Sequence, residues 1–130
     1  MKRTLKLAAA ALGAALLVPA FATTAHADAS DCEKWSFCFF YNSNQQGSHD
    51  TLGDSVPNLA GYIFTSPGNG QGQPVKNNAA SVVNNGCPAH VYFNSNFSGP
   101  NDFIPMFESA NLENTYNENA SLSFTTQLCA

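Results

Sequence analysis

The chain has 130 residues, 44% of them hydrophobic and only 11% charged, with four cysteines and a formal net charge of −4 at pH 7. That length fits one domain or two very small ones. The acidic balance excludes the usual electrostatics of nucleic-acid and anionic-lipid binding, since a negative field repels both.

The first segment reads as an address. Lys2, Arg3 and Lys6 precede an uncharged apolar run, Leu7 to Ala22, and Ala25-His26-Ala27 fits a small-x-small cleavage pattern. The run is shorter than the ~20 residues needed to cross a bilayer, so residues 1–27 are expected to be a secretory signal peptide rather than an anchor. Cleavage would leave residues 28–130 as a secreted domain with no membrane attachment. Lys34 and Lys76 would then face nine carboxylates, a net of −7. An even cysteine count in a short exported chain points to two disulfides, of which Cys32–Cys38 and Cys87–Cys129 are the favoured pairs among three connectivities. No CxxC pair or neighbouring His suggests a metal-thiolate site.

Beyond Cys32 the apolar residues come in short runs separated by Gly, Pro and Asn. Strands are predicted at Phe37–Tyr41, Tyr62–Phe64, Ser81–Val83, His90–Phe93, Phe103–Phe107 and Leu122–Phe124, with turns at 66–70 and 84–88. Strands of this length and spacing predict an all-β sandwich or barrel.

The chain also repeats itself. Phe40-Tyr41-Asn42-Ser43-Asn44-Gln45-Gln46-Gly47 returns 52 residues on as Tyr92-Phe93-Asn94-Ser95-Asn96-Phe97-Ser98-Gly99, and Asn77-Asn78-Ala79-Ala80-Ser81-Val82 returns 40 residues on as Asn117-Glu118-Asn119-Ala120-Ser121-Leu122. The first half therefore carries 12 extra residues between its two ends. A duplicated β-motif follows, about 37–85 and 89–126. In each copy the glycine supplies a positive φ that lets the chain fold back sharply, and an aromatic at 92 or 97 can cover the bend. Gln45 replaces the second aromatic in copy one, so that hairpin is expected to be less well covered.

These opening and closing segments resemble the paired Greek-key motifs of βγ-crystallin-type proteins. Cys32-x5-Cys38-Phe39-Phe40-Tyr41 after a signal peptide further resembles the small secreted actinobacterial peptidase inhibitors with a crystallin-like fold, whose archetype inhibits metalloproteinases. The resemblance implies a disulfide-braced βγ-crystallin-like sandwich of two Greek keys. It also implies a non-enzymatic, monomeric peptidase inhibitor that binds an extracellular protease by a loop and requires no cofactor. The long insertion, roughly 58–75 with Tyr62, Ile63 and Phe64, is the loop to suspect.

The same resemblance makes Asn77, Asn78, Ser81, Asn117, Glu118 and Ser121 candidate Ca2+ ligands, although these residue types serve equally as turn caps. A calcium- or glycan-binding crystallin-like module with a structural or antagonistic role is the alternative, with Trp35, Tyr62 or Tyr116 as surfaces on which sugars could stack. Ser48, His49 and Asp50 are adjacent, which seldom gives a catalytic geometry. The core is expected to draw on Phe40, Val82, Val91, Phe97, Ile104, Leu122 and Phe124.

Overall fold

The computed structural model describes residues 31–128; the expected signal peptide and Cys129 lie outside that range. Seven strands follow in order: β1 Phe37–Asn42, β2 Gln46–Leu52, β3 Ser81–Asn84, β4 Ala89–Asn94, β5 Ser98–Ile104, β6 Glu108–Asn111 and β7 Ser121–Phe124. They form two antiparallel sheets, ordered β2-β1-β3-β6 and β5-β4-β7.

Strand β1 has no apolar–polar alternation because both of its faces are covered. Phe37 and Phe39 enter the main core with Val82, Val91, Ile104 and Leu122, while Cys38 and Phe40 form a second cluster with Cys32 and Val83 on the outer face. The Cys32–Cys38 disulfide holds the N-terminal segment over that outer face. Removing three fully buried Phe side chains (37, 39 and 40) from water contributes roughly 2–3 kcal/mol each.

The two halves exchange edges. Strand β6, from the second half, pairs with β3 of the first, with Val82 opposite Ala110. In return Val56, from the first half, bridges Leu122 of β7 through reciprocal N–H···O bonds of 2.8 and 2.9 Å. The first sheet thus takes an edge strand from the second motif, and the second sheet receives a bridge from the first.

Several expectations need correction. Tyr62–Phe64 forms no strand, only an isolated bridge between Ile63 and Pro74, because Phe64 turns inward as an anchor. Of the expected strand at Phe103–Phe107 only Phe103 and Ile104 are strand, as the end of β5; residues 105–107 turn the chain into β6. Strand β2 was not foreseen because its sequence, Gln-Gly-Ser-His-Asp-Thr-Leu, is polar. Phe97 is not a core residue. It sits at φ 59° on the hairpin tip, 38% exposed, with its ring 6.1 Å from Tyr92. Copy one is the better covered hairpin, because the insertion lies on it: Ser48 N–H donates to the Asn69 carbonyl, and Gly70 sits against the Tyr41 ring.

Candidate functional site

The two sequence echoes meet in space. Asn44 and Gln45 in copy one, and Asn96 and Phe97 in copy two, all have positive φ, and Gly47 and Gly99 follow at φ 79° and 84°. Ser81 Oγ–H donates to the Asn42 carbonyl at 2.6 Å and accepts the Gln45 N–H at 2.9 Å. Ser121 repeats this with the Asn94 carbonyl at 2.7 Å and the Phe97 N–H at 3.1 Å. Each closing serine is therefore a staple across its own opening hairpin, fully buried and bonded twice.

The other candidate metal ligands lie in hydrogen-bonded turns. Asn77 and Asn117 take left-handed φ values of 64° and 52°, and their N–H groups cross between halves to the carbonyls of Asn119 and Ala79. Asn78 Nδ2 caps the Pro74 and Lys76 carbonyls. Asn77 and Glu118 are brought together along one small hollow, with Asn94 and Ser95, but Lys76 lines it too. The Lys76 ammonium donates to Asn58 Oδ1 at 3.0 Å and Ser95 Oγ at 3.2 Å. A divalent cation in that hollow would sit beside a fixed positive charge, which Coulomb repulsion opposes. Among the described residues no cluster of three or more His, Cys, Asp or Glu is placed to hold a metal. The geometry fits turn capping. Lys76 carried no sequence signal, because its role arises only where the insertion meets the second hairpin.

The insertion is firmly held. Leu59, Phe64 and Val75 are buried, while Tyr62 and Ile63 project at 38% and 48% exposure. Val75 N–H donates to the Tyr62 carbonyl, Phe64 N–H to Gln73 and Gly72 N–H to Phe64, which closes a small hairpin. Ser48, His49 and Asp50 do not converge. Successive side chains of a strand point to opposite faces, and the Ser48 hydroxyl is spent on the Ser66 carbonyl. The His49 ring packs on Phe40, and burial holds its pKa below 6.5 against the opposing pull of Asp31 and Asp50. Burial likewise raises Asp50, opposed by the Thr65 hydroxyl, the Thr51 N–H and His49.

Cysteine chemistry is used up in bracing. Cys32 and Cys38 are joined and Cys87 is disulfide-bonded; Cys129, its expected partner, lies outside the described residues. Such bonds fit an oxidising compartment.

Two Greek keys that exchange edges and staple their hairpins with buried serines define a βγ-crystallin-type β-sandwich. A solved structure from work on the evolution of the eye lens βγ-crystallin domain fold superposes with a TM-score of 0.55, covering 69% of this chain and 84% of that one. At 14% identity that similarity concerns the fold alone. The model of peptidase inhibitor family I36 matches residues 25–104, and the chain belongs to that family. A comparison with curated proteins found no match. Membership makes this a non-enzymatic protein whose partner is a peptidase.

Proposed function

We propose that the mature protein, residues 28–130 after loss of a signal peptide, is a secreted inhibitor that occupies a peptidase cleft with its motif-one insertion. Family membership supplies the class of partner. The observation that favours this loop is the exposure of Tyr62 and Ile63 between buried Leu59 and Phe64. A loop already fixed by hydrogen bonds and buried anchors loses little conformational entropy on binding. Phe64 acts as an anchor, and Tyr62 and Ile63 are the contacts.

The experiment is inhibition of thermolysin-type, subtilisin-type and trypsin-type enzymes by the oxidised mature chain, followed by intact-mass analysis. Metalloproteinases head the panel because of the resemblance of the Cys32–Tyr41 segment. Inhibition of one class, weakened at least tenfold by Tyr62→Ala with Ile63→Ala, is the expected result. Inhibition that the double variant leaves untouched would refute the assignment of this loop.

A further inference from the structure

The two most exposed large apolar side chains among the described residues are Trp35, 68% exposed, and Phe107, 66% exposed. Their rings lie 6.2 Å apart at an angle of 58°. With Cys32, Lys34 and Asn85 they line a hollow of about 520 Å3. Both residues also have a left-handed backbone, φ 62° at Trp35 and 60° at Phe107. A bulky residue rarely adopts that conformation, and strain of this kind concentrates at binding and functional sites. Neither ring explains it by core packing.

The surrounding fold is built to hold the pair. Trp35 lies within the loop closed by Cys32–Cys38, and its N–H donates to the Asn85 carbonyl at 3.0 Å. Gly86 allows that approach: a Cβ there would meet the Trp35 carbonyl oxygen at 3.1 Å. Buried Asn84 turns its amide hydrogens to the carbonyls of Cys87, Ile104 and Pro105, and its Oδ1 accepts the Gly86 N–H. One side chain thus fixes both the turn under Trp35 and the turn that carries Phe107.

We infer that this hollow is a binding site for a neutral polysaccharide, with a sugar ring stacked on Trp35 and its hydroxyls on Lys34 and Asn85. The chemistry of the lining supports that occupant. Two aromatic faces meet the C–H surface of a pyranose. The Lys34 ammonium donates, and Asn85, whose Nδ2 is already given to the Cys32 carbonyl at 2.7 Å, offers its Oδ1 as an acceptor. A few polar groups placed around an apolar hollow are the general form of a small-ligand site. Exposed Glu33 and Glu108, chain neighbours of Trp35 and Phe107, add to the acidic balance of the chain and disfavour anionic polymers. They also disfavour a second copy of this acidic chain. The hollow is separate from the proposed inhibitory loop. Trp35 precedes Phe37 at the start of β1, whereas Asn69 and Gly70 pack near its other end, a strand length of roughly 17 Å away.

Trp35 is the single tryptophan of the chain, so its emission reports on the hollow directly. The test combines depletion of the oxidised mature protein by insoluble chitin and by cellulose with titration of Trp emission by soluble N-acetylglucosamine and glucose oligomers. Retention on one polysaccharide and a saturable emission change are expected. Trp35→Gly and Phe107→Gly should each weaken retention at least tenfold. Glycine accepts the positive φ and the lost rings are exposed, so the thermal midpoint should stay within about 4 °C of the parent. Peptidase inhibition should be unchanged. If Trp35→Gly fails to fold, Phe107→Gly and Lys34→Met carry the test. Overturning results are a parent that neither polysaccharide retains, variants that bind like the parent, or emission that responds only to an arginine-rich control peptide.

Discussion

Replacing Ser81 with Ala removes a single oxygen, yet two backbone groups depend on it. Its hydroxyl takes the Gln45 N–H and gives its own hydrogen to the Asn42 carbonyl, at a position with no solvent exposure. Each bond contributes about 1 kcal/mol net, and a buried group left without a partner costs about 1–3 kcal/mol. Gln45 also sits at φ 55°, so the lost bond helped to hold a conformation that L-residues avoid. Ser81→Ala should therefore cost about 2–3 kcal/mol, a fall in midpoint of roughly 10–20 °C for a domain of this size. Ser121→Ala should do nearly the same, because it staples the second hairpin with the same pair of bonds. Ser123→Ala, on the half-exposed outer side of β7, is the control and should stay within about 0.5 kcal/mol. Urea unfolding of the three oxidised variants, with and without millimolar Ca2+, is the assay. If both staple variants match Ser123→Ala, the reasoning is wrong. A midpoint that rises with Ca2+ in the parent but not in the variants would make the serines metal ligands instead.

Two further outcomes follow from local geometry. Gly70→Ala should destabilise by about 3 kcal/mol, since its Cβ would lie 2.1 Å from the Tyr41 ring at φ 87°. Gly72→Ala has nearly the same φ, 85°, but open space, and should cost only about 1–2 kcal/mol; equal losses in thermal melts would show that the insertion does not rest on Tyr41. Acidification should also weaken the fold. Burial lowers the His49 pKa below its ordinary 6.5, so the unfolded chain takes up that proton first. Stability is then fully present above pH 6.5 and declines as pH falls below it. The raised Asp50 acts in the opposite sense at lower pH, where its protonation favours the folded state. The midpoint should drop between pH 7.5 and 5.5, and His49→Gln should flatten that drop; an unchanged slope would exonerate His49.

The duplication was legible because it is written in residues with local duties. Gly47 and Gly99 are needed for the fold-back, and Asn tolerates the left-handed turns at 44, 77, 96 and 117. The unbroken apolar run at 37–41 marked a strand, and only the structure showed both of its faces to be buried. Strand β2 was hidden because an edge strand with polar residues leaves little pattern to read. Phe64 and Phe97 show the limit of residue type alone. By type the first suits a loop contact, yet it is a buried anchor; the second suits a core, yet it lies on a hairpin tip. Phe107 gave no sign of pairing with Trp35, since 72 residues separate them.

Sequence alone determined the β-class and the twofold repeat and favoured the pairing of Cys32 with Cys38, because hydrophobic pattern, turn chemistry and a short cysteine spacing act over a few residues. The tertiary structure decided which half lends an edge strand to the other, and that the closing serines bind the opening hairpins. It also decided that Lys76 lies in the hollow between the motifs. Those outcomes depend on contacts between residues 18 to 66 positions apart, where close packing and the demand that buried polar groups be paired select one arrangement from many.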